Sequence, residues 1–178
     1  FKRDYLTNLP QKSGTRGKIG IPLALGMYEL LPLWHEIFGS LGFTVVVSEM
    51  STRRTYERGQ FSIPSDTACY PAKIMHGHIN QLIDSGVDAV FYPCLTYNVD
   101  EKDSDNHFNC PIVAYYSELL NGNMEELKSV KFLYPYLNIN NRRELCRELF
   151  EYLNKFFDGI TKREIKTAVD AGFKAYKN

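Results

Sequence analysis

The chain has 178 residues, 44% of them hydrophobic and 24% charged, which suits one domain with a sizeable core. Its 21 basic and 21 acidic residues cancel, so it carries no basic footprint for nucleic acid, and no apolar run nears the roughly 20 residues a membrane span needs. Four scattered cysteines exclude a secreted disulfide framework and the leading residues lack the apolar core of a secretory signal, so the expected compartment is a reducing cytoplasm.

Residues 1–17, "FKRDYLTNLPQKSGTRG", are polar, carry Pro10, Gly14 and Gly17, and read as a linker or arm. The start at Phe1 rather than Met points to a segment of a longer, multidomain polypeptide, with 18–178 as a single domain. "KIGIPLAL" from Lys18 predicts a strand, and "YELLPLWHEIFGSLG" a helix with Leu30, Leu33, Ile37, Phe38 and Leu41 on its apolar side and Gly42 as its stop. "FTVVVS" from Phe43 is β-branched and strand-like; "STRRTYERG" is a short helix begun by Ser51 and ended by Gly59.

The next stretch, "IPSDTACYPAKIMHGHI", places Cys69 just ahead of a helix with Pro71 in its first turn and Gly86 beyond its end. "VDAVFYP" predicts a buried strand, followed by about 15 polar residues to Cys110 and by "PIVAYY", read as a further strand. "SELLNG" is a helical turn or two and "VKFLYPYL" a fifth strand. Two C-terminal helices close the chain, the second opened by Thr161 with Glu164 three residues on, a capping box. The alternation predicts an α/β, Rossmann-like domain, with strands near 18–24, 43–48, 87–92, 111–116 and 131–135 in one mainly parallel sheet and helices on both faces.

The chemistry centres on cysteine. Cys69 is either a small buried hydrophobe or a thiolate favoured by the amides of the helix that follows. Cys94 leaves the "VFYP" strand at its carboxyl end, where α/β proteins bind ligands, and Cys110 closes the polar loop. No two form a CxxC pair, so the spacing is not that of a zinc ribbon or finger, although a structural zinc site stays open as a reading. Three thiolates from separate loops can hold an iron–sulfur cluster with one iron left open. With "PIVAYY" as a parallel strand, Cys110 opens at the edge opposite Cys94, which makes Cys69 with Cys94 the firmer pairing. Cys146 sits beside Leu145, Leu149 and Leu153 on an amphipathic helix and reads as core filler. His76 and His78, two apart on a helix, cannot chelate one metal together; His76 reads as a surface or supporting residue. Lys73 reads as an exposed lysine rather than an anion ligand. His107 in "DNHFNC" lacks the glycine of a cobalamin motif, and no nucleotide-hydrolysing motif is present.

Four blocks in this order, "IPLALGMYELLPLWHEIFGSLGF", "IPSDTACYPAKIMHGHI", "VDAVFYPC" and "DNHFNCPIVAYY", closely resemble the DUF2229 domain of acyl-CoA dehydratase activase-related proteins, relatives of the 2-hydroxyacyl-CoA dehydratase subunits. In those dehydratases an ATPase-fold activator drives an electron onto a subunit holding a cysteine-ligated [4Fe-4S] cluster, which then eliminates water from a 2-hydroxyacyl-CoA through a ketyl radical. The resemblance implies Cys69, Cys94 and Cys110 as cluster ligands, a cluster lost in aerobic preparation, and electron transfer as the role. It also implies ATPase-type activator domains and a dehydratase-like domain as partners, in the same or an associated chain. No catalytic residue is assigned, and the module alone is not expected to turn over substrate. The alternative is a non-catalytic module without a metal that docks another domain or binds an acyl-CoA.

Overall fold

The computed structural model describes residues 9–100, 102 and 105–177. Its sheet has four strands, β1 (Lys18–Ile21), β2 (Thr44–Val47), β3 (Ala89–Phe91) and β4 (Lys131–Leu133), all parallel and ordered β2-β1-β3-β4. Between and after them come α1 (Gly26–Glu29), α2 (Leu31–Ser40), α3 (Arg53–Gly59), α4 (Tyr70–Asp84), α5 (Pro111–Asn123), α6 (Arg142–Leu153) and α7 (Lys162–Lys177). The predicted α/β class, parallel sheet and helical cover on both faces are all present. Among the described residues no helix is long and apolar enough to cross a membrane.

Strand alternation assigns the two faces. Phe91 of β3 meets Trp34 and Phe38 of α2 edge-on, with ring centroids 5.0 and 4.7 Å apart, so its face is covered by α2. Gly20 of β1 points the other way, toward Leu82 of α4. Apolar residues ring α2 on every side because α7 covers its outer surface; Gly172 brings α7 so close that an added Cβ would lie 2.8 Å from the Leu33 carbonyl. Ahead of β1, the Lys12 carbonyl accepts from Val45 N and Gly14 N donates to Thr44 Oγ1, so residues 12–14 line β2. Arg16 reaches Glu164 of α7 at 2.7 Å.

Most predicted boundaries agree with the structure to a few residues. Gly42 and Gly86 take positive φ just past their helices, and Thr161 and Glu164 exchange backbone and side-chain bonds as a capping box does. The cap of α3 is Thr52 rather than Ser51, and the first predicted helix divides at Leu30. One element is of the wrong kind. Residues 111–116, read as a strand, form the start of α5, whose buried positions Ala114, Ser117 and Leu120 recur every three residues. Its β-branched opening suits a strand as well; the Pro111 that follows Cys110 is the helix signal, as Pro71 is for α4.

Gly59 and Gly77 let α3 and α4 touch backbone to backbone: a Cβ on Gly77 would fall 1.7 Å from the Thr55 carbonyl oxygen, and one on Gly59 2.3 Å from Gly77 N. Gly77→Ala should therefore cost on the order of 3 kcal/mol in a urea melt. Gly122→Ala, with nothing within 4 Å of its added methyl, should leave stability unchanged or slightly raised.

Candidate functional site

The chain builds β1, then β2 on one side of it, then returns to place β3 on the other side. Ligand crevices in such sheets open where the winding reverses, beyond the carboxyl ends of the two central strands. On the β1 side, Leu25 holds φ at 50° and ψ at −141°, a backbone shape sparsely populated by residues other than glycine and costing about 1–3 kcal/mol. Next to it, Gly26 lies against Val113 in the first turn of α5.

On the β3 side, pairing with the β4 segment continues past Phe91. Tyr92 N donates to the Leu133 carbonyl and Cys94 N to that of Pro135, both at 2.9 Å, and Leu137 N returns a bond to Cys94 at 3.1 Å. Alternation therefore carries through Val90, Tyr92 and Cys94. Val90 pairs with Gly20, which faces α4, so Tyr92 and Cys94 point toward the layer formed by α4 and α5. Cys94 confirms this directly, with its sulfur 3.0 Å from Ser117 Oγ of α5.

Cys69 and Cys110 occupy equivalent places: each is the residue capping the start of a helix, Cys69 for α4 and Cys110 for α5, and each is exposed. The buried bond between His76 Nε2 and the Tyr116 hydroxyl, 3.0 Å long, joins the two helices. Cys69 lies seven residues before His76 and Cys110 six before Tyr116, so both are about 10 Å from that bond along their helices. The polar loop explains how Cys110 arrives. Asn98 N donates to the His107 carbonyl, Asn109 N to that of Thr96 and the Asn109 amide to that of Leu95, all within 2.9 Å. This antiparallel pairing returns the chain to the edge it left at Cys94, so Cys110 opens a helix at that edge rather than a strand at the opposite one.

Between these elements lies Tyr92. It is 3% exposed, and its hydroxyl has no hydrogen-bond partner among the described residues. Burial raises its pKa, and Cys94, Tyr116, Cys110 and Cys69 add to the rise in that order, so all three thiols lie within electrostatic reach of one hydroxyl. Tyr116 is pushed up to about 12, chiefly by burial and then by Cys69. Burial also pushes the Cys94 thiol up, against the bond from Ser117. Among the described residues no three His, Cys, Asp or Glu side chains are grouped so that they could hold a metal ion. A cluster makes a looser demand, since each thiolate binds a different iron.

His76 is fully buried rather than at the surface. The Ser62 hydroxyl is 3.0 Å from the Gly59 carbonyl, so its one proton goes there; His76 Nδ1–H then donates to Ser62 Oγ at 2.8 Å, and Nε2 accepts from Tyr116. His78 is equally buried between Ser48 and Ser51, each at 2.8 Å. Lys73 is bonded to the Asp66 carbonyl and His107 lies 3.5 Å from Asp100. Cys146 is half-buried rather than core: Leu145, Leu149 and Leu153 take the inward face of α6, and Cys146 lines a groove between α6 and α7. Tyr92, Ser117 and Tyr116 went unnoticed in the sequence. Only Tyr92, two residues before Cys94 on the same strand face, left a trace there.

The chain belongs to the family described as the CoA enzyme activase uncharacterised domain, DUF2229, whose model matches residues 18–178. Comparison with curated proteins gave no match, and comparison with solved structures gave none.

Two outcomes follow from this geometry. Under limiting iodoacetamide, mass spectrometry should find Cys69 and Cys110 alkylated first, Cys146 later, and Cys94 only on unfolding. Burial lowers the pKa of His76 and His78 to about 4, below the 6.5 of an unfolded histidine. Above pH 6.5 both states are neutral; between 6.5 and 4 only the unfolded chain takes up protons. Stability should therefore fall as the pH drops through that window, by on the order of 3 kcal/mol per histidine, as read from urea midpoints.

Proposed function

We propose that this domain holds a cysteine-ligated iron–sulfur cluster through Cys69, Cys94 and Cys110, as the electron-carrying module of an activase/2-hydroxyacyl-CoA-dehydratase-like protein. The observation that supports this reading is that three thiols from three separate segments lie within electrostatic reach of one buried hydroxyl, itself without a partner among the described residues, at the switch point of a parallel sheet. The residues fit such a group. Thiolate donors suit iron–sulfur chemistry, and a hydroxyl without a partner suits a site completed by something that can accept a hydrogen bond.

The chain's own contribution would be positional and electrostatic. Cys69 and Cys110 stand at the amino ends of α4 and α5, where unpaired amides and the helix dipoles favour negative charge. The Cys69 sulfur makes no capping bond, whereas that of Cys110 accepts from Val113 N at 3.4 Å. Cys94, buried on the strand and set against Ser117, would form the inner wall that keeps water from the site. When bound, the cluster would supply one-electron transfer, with ATPase-type activator and dehydratase-like domains as its partners.

A second reading, a metal-free module that docks another domain or binds an acyl-CoA, draws on the groove between α6 and α7. It measures about 910 Å³ and is lined by Arg142, Arg143, Arg147, Lys162 and Lys166 against Glu144, Glu151 and Asp170. That excess of cations suits a polyanion.

Anaerobic reconstitution with iron and sulfide separates the two readings. The first expects a brown protein whose iron content and visible absorbance fall in Cys69→Ser, Cys94→Ser and Cys110→Ser but not in Cys146→Ser, with circular dichroism confirming that each variant is folded. A colourless wild-type chain would overturn it, and zinc without iron in elemental analysis would replace it with a structural metal site.

A further inference from the structure

Tyr92 has a place in this site that cysteine spacing alone does not assign. Four buried side-chain atoms among the described residues have no partner: Arg16 Nη1, Trp34 Nε1, Asn80 Oδ1 and the Tyr92 hydroxyl. Arg16 and Asn80 use their other polar atoms, Arg16 on Glu164 and Asn80 on the Arg58 carbonyl. Trp34 and Tyr92 make no side-chain hydrogen bond, and they lie on opposite faces of the sheet. Trp34 packs against Phe91 beneath α2; Tyr92 shares the other face with Cys94. A buried hydroxyl left unpaired costs about 1–3 kcal/mol, so its retention calls for an explanation.

Its surroundings offer one. The Tyr116 hydroxyl gives its proton to His76 Nε2 and Ser117 meets Cys94, and neither of these α5 hydroxyls is bonded to Tyr92. The hydroxyl lies on the sheet face of Cys94 and within electrostatic reach of Cys94, Cys110 and Cys69, with none of these thiols bonded to it. From this we infer that Tyr92 is a positioning residue for the group bound by Cys69, Cys94 and Cys110, donating its O–H to a sulfur atom of that group. Such a bond stabilises added negative charge on the sulfur, and so favours the reduced state and slows loss of metal. The inference rests on the cluster reading given above.

The test compares the wild-type chain with Tyr92→Phe and with Trp34→Phe as a control, each reconstituted anaerobically. Three quantities are read: the melting temperature of the iron-free protein, the midpoint potential of the loaded protein, and the rate of iron loss to a chelator. Tyr92→Phe should melt no lower than wild type when iron-free, because it removes an unpaired hydroxyl. When loaded, it should show a more negative midpoint potential and about tenfold faster iron loss. Trp34→Phe should leave the potential and the iron-loss rate unchanged. Loaded Tyr92→Phe with wild-type potential and iron loss would overturn the inference while leaving the cluster reading intact. So would an iron-free Tyr92→Phe that melts well below wild type, since the hydroxyl would then have had a partner in the empty protein. A wild-type chain that takes up no iron would overturn both.

Discussion

His76 and Tyr116 share a hydrogen bond that neither water nor any surface group can reach, with the histidine wholly buried and the tyrosine 2% exposed. The bond ties α4 to α5 at one height, and the parallel sheet beneath ensures that both helices begin at the same edge. Everything proposed for the cysteines depends on that alignment. Because Nε2 accepts from tyrosine while Nδ1–H is given to Ser62, the imidazole must stay neutral, as burial also requires. The bond is therefore a structural clamp whose failure on acidification would separate the two helix starts.

The glycine contacts extend this clamp outward. Gly59 and Gly77 hold α3 directly on α4, which brings Ser62 to His76 and closes the chain of bonds from the surface turn to α5. On the opposite side of the crevice Leu25 keeps a backbone shape that a leucine adopts only when held, beside a glycine that accommodates α5. Strain and close approach thus fall at the edge where the winding reverses, where ligands of this architecture lie.

Much of this was legible beforehand. β-branched runs bounded by glycine and proline gave four true strands, and the cap residues gave the helix starts to within a residue or two. The apolar run "PIVAYY" did not declare itself, because its pattern over six residues suits a strand as well as a helix; only packing of Ala114, Ser117 and Leu120 against the core decides. That one element changed the site. Read as a strand it sent Cys110 to the far edge; as a helix it leaves Cys110 beside the loop end that carries Cys94. The buried state of His76 was equally hidden, since its partners Ser62 and Tyr116 stand 14 and 40 positions away.

The order of strands has a consequence for how the domain comes into being. β1 is made first yet lies between β2 and β3, so it can be paired on both edges only after residue 91 has been synthesised. Cys69 leaves the ribosome well ahead of Cys110, and the clamp on its helix needs Tyr116, which comes later still. A nascent chain therefore displays isolated thiols before it can offer a pocket. Any group that requires all three must be delivered to a finished domain, and a truncated product ending before α5 would expose those cysteines to oxidation with no means of assembling the site.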